Sequence, residues 1–403
     1  MKVKALLAGG QVDTMSVQPF YQKTSKHILS PNLFSRDKID MKILVLVTDA
    51  FGGHGGIALY NRDLISALCV NPTISEVVAI PRVIPNPLEQ LPKKLNFLIE
   101  ASGSKFRYIA TILRIMMKNE HFHLIVCGHI NLLPIAFLLR LWFGAPILLE
   151  IYGIDVWKPN KKYLVNYLLR KVDAIVSISE ITKQKFLSWS GYKNKDIFIL
   201  PNAIHKEWYE VAPKNSILLS KYGLERKVVL MTFGRLVSHE RYKGFDEILE
   251  ILSELSESIP NIIYLILGAG DDRTRLEEKV NLLGISNRVV FGGYVTEAEK
   301  ADHYRLADVY VMPSRGEGFG FVFLEAMACG IPVIASKIDG GREAVLDGKL
   351  GELVDPGNPK EIIAAIHRAL KKPKVIPEGL KYFAFENYKK RLNQLISEVI
   401  VGI

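Results

Sequence analysis

The chain has 403 residues, 49% hydrophobic and 23% charged, which suits two or three domains with buried cores and excludes a disordered or fibrous chain. Its net charge of +10 is uneven: 26 Lys and Arg against 14 Asp and Glu over residues 1–206 give +12, while 26 against 28 over residues 207–403 give −2. A basic first half points to an anionic surface, membrane or nucleic acid, against the plainer reading of ordinary solvated lysines.

Cys69, Cys127 and Cys329 lie far apart in core-like runs, which favours a reducing compartment over a disulfide framework or a zinc site. Residues 1–40 do not read as a domain. Their one apolar run, Ala5 to Ala8, is too short for a signal-peptide core, and Met41 is a candidate start that mass spectrometry of the native N-terminus would decide. The first convincing element is Met41 to Val47, a buried parallel-type strand. A glycine-rich loop (Gly52, Gly53, Gly55, Gly56) follows, then a helix over Ile57 to Leu68 with Ile57, Leu64, Ile65 and Leu68 near helical spacing. Strands are expected at 76–80, 123–128, 146–151, 173–178 and 197–200, with helices between most of them. Residues 124–152 are strongly apolar, but His129, Asn131, Pro134 and Arg140 leave no run long enough to span a bilayer; strand, helix, strand buried in a domain is the expectation. The rhythm breaks at 201–226 and restarts at Val228 to Phe233, with strands near 262–267, 289–291, 308–312 and 331–335. Tyr382 to Val401 carries Leu392, Leu395, Ile396 and Ile400 at helical spacing.

The fold class is therefore α/β, with two Rossmann-like, doubly wound parallel-sheet domains. The expected division is an extension over 1–40, a first domain over 41–207 that holds the acceptor, a nucleotide-sugar domain over 208–375, and a closing helix within 376–403 that packs back on the first domain.

Ligands in such sheets bind at the carboxyl ends of strands, beside helix N-termini. Three places there carry unusual residues. The loop Asp49 to Gly56 lets the backbone approach a ligand closely and opens onto a helix that offers free N–H groups to an anion, although it is neither GxGxxG nor a P-loop. Phe233-Gly234-Arg235 ends a strand and is followed by Lys243-Gly244. An arginine fork and a lysine point charge there could neutralise a diphosphate. In Pro313-Ser314-Arg315-Gly316-Glu317-Gly318-Phe319-Gly320, followed by a helix over Phe321 to Cys329, Glu317 precedes the helix and Glu325 lies about one turn inside it. Carboxylates beside an anion site suit neutral polyol, so the mixture points to a sugar nucleotide.

Together with Leu267 to Gly270, Phe291 to Tyr294, Ala307-Asp308-Val309 and Gly340-Gly341, these motifs resemble the retaining glycosyltransferases of the GT-B fold, glycosyltransferase family 4 (glycosyl transferases group 1), over nearly all of residues 41–403. The resemblance implies that Glu317 contacts donor-sugar hydroxyls, that Glu325 binds the ribose hydroxyls, and that Arg235 and Lys243 stabilise the leaving diphosphate. It places Gly55, Gly56, Gly234, Phe319, Gly320 and Phe321 at the donor, and His129 on the donor sugar, where a core or capping histidine is the alternative. Tyr152 stands where many relatives have histidine, which leaves that loop's role open.

The implied reaction moves a hexose-type sugar from a nucleotide-diphosphate sugar, UDP- or GDP-linked, to a glycan or lipid-linked acceptor in cell-surface polysaccharide synthesis. No cofactor beyond the donor and no metal is expected, because no aspartate pair has metal-like spacing and Arg and Lys can replace a cation. Residues 93–122 interleave Lys93, Lys94, Lys105, Arg107, Arg114 and Lys118 with apolar residues, and Arg107, Arg114 and Lys118 share one helical face. That pattern fits an interfacial helix on an anionic membrane, or an ordinary surface helix packed on its own domain. The expected location is cytoplasmic, at the inner membrane face. A GT-B-fold epimerase and a non-catalytic nucleotide-sugar binder remain as rivals; a nucleic-acid partner is not expected, for want of a recognised motif.

Overall fold

The computed structural model describes residues 40–88, 90–118, 120–193 and 196–401; the expected 1–40 extension, except for Asp40, lies outside the described residues. Seven parallel strands, β1 (Met41–Val47), β2 (Ile74–Pro81), β3 (Leu95–Phe97), β4 (Leu124–Cys127), β5 (Ile147–Ile151), β6 (Ala174–Ser177) and β7 (Ile197–Ile199), form one sheet in the order β3-β2-β1-β4-β5-β6-β7. Six more, β8 (Val228–Phe233), β9 (Ile262–Leu267), β10 (Val289–Gly293), β11 (Val309–Met312), β12 (Val333–Ser336) and β13 (Glu352–Val354), form a second in the order β10-β9-β8-β11-β12-β13. Near-continuous Val, Ile and Leu runs build these strands because helices cover both faces of each sheet.

The helices around the first sheet are α1 (Gly56–Val70), α2 (Lys105–Met117), α3 (Leu133–Phe143), α4 (Tyr163–Leu169) and α5 (Glu180–Ser190). Around the second are α6 (Ser216–Tyr222), α7 (Phe245–Ser258), α8 (Arg273–Leu282), α9 (Lys300–Leu306), α10 (Phe321–Ala328), α11 (Gly341–Ala344) and α12 (Pro359–Leu370), and α13 (Phe385–Val401) ends the described chain. Tyr108, Ile112, Leu133, Leu139, Val165 and Phe186, from α2 to α5, share one core against the first sheet. On the other side the chain returns: Ile204 N donates to Phe383 O at 2.8 Å, Tyr60 of α1 meets Tyr388 of α13 edge-on at 6.0 Å, and Asn71 Nδ2 donates to Asn393 Oδ1 at 2.9 Å.

The differences from the sequence expectations are local. β3 and β13 have three residues each and include a polar one, Asn96 and Glu352, so no apolar run marks them. The break at 201–226 contains α6, capped by the Asn215 side chain, which accepts from Ile217 N and Leu218 N. The 124–152 segment is strand, helix, strand as expected, but α3 is not buried throughout: Leu138, Leu141 and Trp142 face solvent.

In both sheets the connection reverses direction at the first strand, between β1 and β4 and between β8 and β11. Those switch points open crevices at the strands' carboxyl ends. The loops that leave them are the glycine loop after β1, Gly128-His129 after β4, Gly234-Arg235 after β8 and Pro313–Gly320 after β11.

Candidate active site

The glycine loop and the β11 loop face each other. Gly55 begins α1 with φ of +89°, a conformation that favours glycine. A Cβ on Gly56 would lie 3.6 Å from the Phe321 ring, so α1 and α10 start on opposite walls of one cleft. A Cβ on Gly318 would lie 2.5 Å from Tyr152 O.

Asp339, which no sequence motif pointed to, holds the Glu317 loop. It is 1% exposed; its Oδ2 accepts from Ser314 Oγ at 2.6 Å and Glu317 N at 2.9 Å, and its Oδ1 from Gly341 N at 3.0 Å. Burial pushes its pKa up to about 6 against the pull of these donors. Gly340 N donates to Glu317 O at 2.8 Å, and a Cβ on Gly340 would sit 2.1 Å from Gly318 O. Backbone cannot rotate away as a side chain can. Gly340→Ala is therefore expected to displace Glu317 and cut turnover by about tenfold or more, since misplacement by 1 Å can cost a hundredfold. Steady-state kinetics check this, with circular dichroism to confirm folding.

Phe319 is buried edge-on against Phe383 at 5.5 Å, which leaves only its main chain to serve a ligand. Gly320, with φ of +93°, caps α10. The first N–H groups of that helix have no intrahelical partner, and its dipole favours an anion.

Of the basic residues, Lys243 is the one brought to Glu317: Nζ stands 3.2 Å from Glu317 Oε2, both side chains largely buried. Gly234 makes room for it, since a Cβ there would meet Lys243 Cδ at 3.3 Å. Arg235 is 71% exposed and pairs with the buried Glu240, so it reaches the cleft only by leaving that partner. His129 begins a 3-10 turn, and its Nδ1 accepts from Asn131 N at 3.0 Å. The proton must then be on Nε2, and burial lowers the ring's pKa; the imidazole is a neutral donor.

Glu325 differs from a ribose acceptor open to solvent. It is 3% exposed. Its Oε1 accepts from Tyr209 Oη at 3.0 Å and Lys300 Nζ at 3.0 Å, and its Oε2 from Tyr304 Oη at 2.6 Å. Tyr209 comes from the segment between the sheets, and with Asp63, His205, Glu297 and Phe321 it lines a small cavity at Glu325. A ribose would reach the carboxylate by replacing Tyr209.

Two further features lay outside the motifs. Glu343 of α11 accepts from Glu180 N at 2.7 Å and Ile181 N at 2.9 Å. A carboxylate from the second sheet's side thus caps α5 on the first, where the helix dipole favours it, and bridges the cleft. Tyr152 is buried, with its hydroxyl 2.6 Å from Glu150 Oε2, 2.8 Å from Asn61 Oδ1 and 2.9 Å from Gly128 O. Asn61 Nδ2 donates to Asp49 O at 2.8 Å, which fixes that amide's orientation. One hydroxyl proton cannot serve three acceptors, and a proton on Glu150 relieves the conflict. Burial drives the Glu150 pKa up to about 7, against the lowering effect of Tyr152.

A carboxyl whose folded pKa is raised stabilises the fold most at low pH, and that contribution falls as pH rises from the unfolded value, about 4.5, through 7. Glu150→Gln keeps the neutral shape and escapes the loss. Its stability relative to wild type should rise between pH 5 and pH 8 by on the order of 2 kcal/mol. Urea denaturation at both pH values checks it; a constant difference would mean that Glu150 ionises freely in the fold.

Two parallel sheets with a cleft between their switch-point loops define the GT-B architecture. Residues 54–208 match the family model described as Glycosyltransferase Family 4, and residues 219–390 match that described as Glycosyl transferases group 1. The chain belongs to glycosyltransferase family 4. A GDP-mannose-dependent α-(1-6)-phosphatidylinositol monomannoside mannosyltransferase of Mycolicibacterium smegmatis is 30% identical over 54% of this chain and 59% of its own length. A D-inositol 3-phosphate glycosyltransferase of Geodermatophilus obscurus is 36% identical over 54% of this chain and 50% of its own. The chain thus spans between half and three fifths of these relatives' length. The solved structure of HepE from Anabaena with UDP and glucose superposes with a TM-score of 0.69 at 21% identity, covering 89% of this chain and 99% of that one. Sucrose-phosphate synthase from Thermosynechococcus elongatus gives 0.70 at 20%, covering 90% and 100%. At these identities the likeness is one of fold.

Proposed function

We propose that the protein transfers a hexose-type sugar, with retention of configuration and without a required metal, from a UDP- or GDP-sugar to a glycan or lipid-linked acceptor in cell-surface polysaccharide synthesis at the cytoplasmic face of the membrane. The observation that carries this reading is the Lys243–Glu317 pair beside the N-terminus of α10 at the second sheet's switch point. GDP-mannose is the first donor to test, because a 30% identical relative is named for it.

As the bond between the anomeric carbon and phosphate breaks, the sugar becomes oxocarbenium-like and negative charge grows on the diphosphate. Lys243, Arg235 and the α10 N–H groups stabilise that charge more in the transition state than in the ground state. Glu317 orients donor hydroxyls, the His129 Nε2–H donates to the sugar, Gly55, Gly56 and Gly234 let the backbone close on the donor, and Glu325 takes the ribose hydroxyls in place of Tyr209. The acceptor hydroxyl attacks the anomeric carbon from the face that the diphosphate leaves, and a phosphate oxygen takes its proton. Glu317 is a positioner, not a nucleophile. NMR of the product's anomeric centre tests this; an inverted product, or activity abolished by a chelator, would overturn the corresponding part.

A further inference from the structure

We propose that the outer face of α2, α3 and α4 docks this protein on an anionic lipid surface. The three helices cover the same side of the first sheet, α2 against α3 and α3 against α4. Trp142 of α3 ties the first pair, donating from Nε1 to Met116 O at 2.8 Å. Their inward residues, Tyr108, Ile112, Ala136, Leu139 and Val165 among them, fill the core. Their outward residues are also apolar. Phe106, Leu141 and Tyr163, one from each helix, are each 85% exposed, and Met117, Trp142 and Leu164 accompany them. Exposed apolar surface that spans three neighbouring elements, with a polar rim, marks an interaction site.

The rim's charge says what covers it. Residues 99–171 hold ten Lys and Arg and four Asp and Glu. Two of those acids, Glu150 and Asp155, are withdrawn from the surface; Glu120 pairs with Lys42 at 2.9 Å and Lys118 at 4.0 Å, and Glu100 with Arg114 at 3.3 Å, which leaves the positive charge in clear excess. Arg107, Arg114 and Lys118 run along α2 beside the apolar stripe, and Lys158, Lys161 and Lys162 are exposed in the segment that leads into α4. A protein partner would need a dense acidic surface to match this, whereas a bilayer with anionic headgroups offers charge for the lysines and a boundary for Phe, Trp and Tyr at once. Among the described residues no helix is long and apolar enough to cross a membrane, so the contact is peripheral. The face also borders the cleft. Asn160, between those lysines, donates from Nδ2 to Asn131 Oδ1 at 3.0 Å, and Asn131 N is the donor to His129 Nδ1. Docking there brings the cleft to the lipid, which deepens the transfer reading only by favouring a lipid-borne acceptor; the docking itself is tested without activity.

The test is co-sedimentation of the full chain with vesicles of phosphatidylcholine alone and of phosphatidylcholine mixed with phosphatidylglycerol, at low and high salt. The variants are Lys158→Glu/Lys161→Glu/Lys162→Glu and Phe106→Ser/Leu141→Ser/Tyr163→Ser, both at exposed positions and both checked for folding by thermal melting. Expected is binding to the anionic vesicles alone, weakened by salt. The charge variant should lose about a hundredfold or more in affinity, at about 1 kcal/mol per cation removed, and the apolar variant at least about tenfold. No binding to anionic vesicles, or binding unchanged in both variants, would overturn the proposal. So would a lipid-free dimer that the apolar variant converts to monomer, which would give the face to a second copy of the chain.

Discussion

Lys243→Ala is expected to lower kcat by about a hundredfold or more, the scale seen when one donor aimed at a developing oxyanion is removed. Lys243 starts from a stronger position than Arg235. It is already in the cleft, 3.2 Å from Glu317, whereas Arg235 points outward at Glu240. In the resting site the ammonium neutralises Glu317. When the donor diphosphate arrives, the same charge can serve the phosphate oxygens, and the carboxylate is left to accept from sugar hydroxyls. The alanine variant should therefore bind nucleoside diphosphate more weakly and turn it over far more slowly. Lys243→Arg keeps the charge and should recover part of the rate, less than wild type because the planar fork does not fit a space shaped for a single ammonium. Pre-steady-state and steady-state transfer assays separate the two effects. Wild-type kcat in Lys243→Ala would remove this residue from the chemistry.

Glu325→Ala is expected to destabilise the fold before it alters a rate. The carboxylate is buried and receives two hydroxyls and an ammonium. Burial alone would lower the Lys300 pKa, but Glu325 and Glu297 outweigh it and hold it raised. Without Glu325, Lys300 keeps Glu297 as its carboxylate partner, at 2.9 Å on the more exposed side, and the Tyr209 and Tyr304 hydroxyls lose their acceptor. Breaking a buried ion pair by removing one partner costs roughly 3 kcal/mol or more, a fall in Tm of about 6 to 12 °C for a domain of this size. Glu325→Gln/Lys300→Met removes both charges and should recover most of that loss. A melting curve of Glu325→Ala that overlays wild type would mean that the three contacts contribute nothing net, and would reopen Glu325 as a free ribose acceptor.

What could be read in the sequence follows from where the signals live. All strands but β3 and β13 are apolar runs and so are legible, and the glycine, Arg-Lys and double-glutamate motifs fall in or just past three of the four loops at the switch points, after β1, β8 and β11, because each motif is local. What joins those loops is not local. Asp339 lies 22 residues after Glu317, Glu343 lies 163 residues after Glu180, and Tyr209 lies 116 residues before Glu325. No spacing rule connects them. Asp339 alone had a readable signal, as the polar residue before Gly340-Gly341 just past a strand. The exposure of the outward face of α3 is not legible, because apolar residues on both sides of a helix look the same in sequence whether lipid, protein or water lies beyond. Tyr152 is marked as a departure from the motif, but its partner Glu150 sits inside an apolar strand, where nothing local signals its role.

A nucleotide-sugar site on the second sheet is tested by thermal denaturation with UDP, GDP and ADP in turn, without added metal. One of them, at about a hundred times its dissociation constant, should stabilise the wild type by about 2.7 kcal/mol, several degrees in Tm, and do so less in Lys243→Ala at the same concentration. If none of the three moves the melting point of the folded wild-type protein, the site does not bind a nucleoside diphosphate and the protein is not a transferase of this kind.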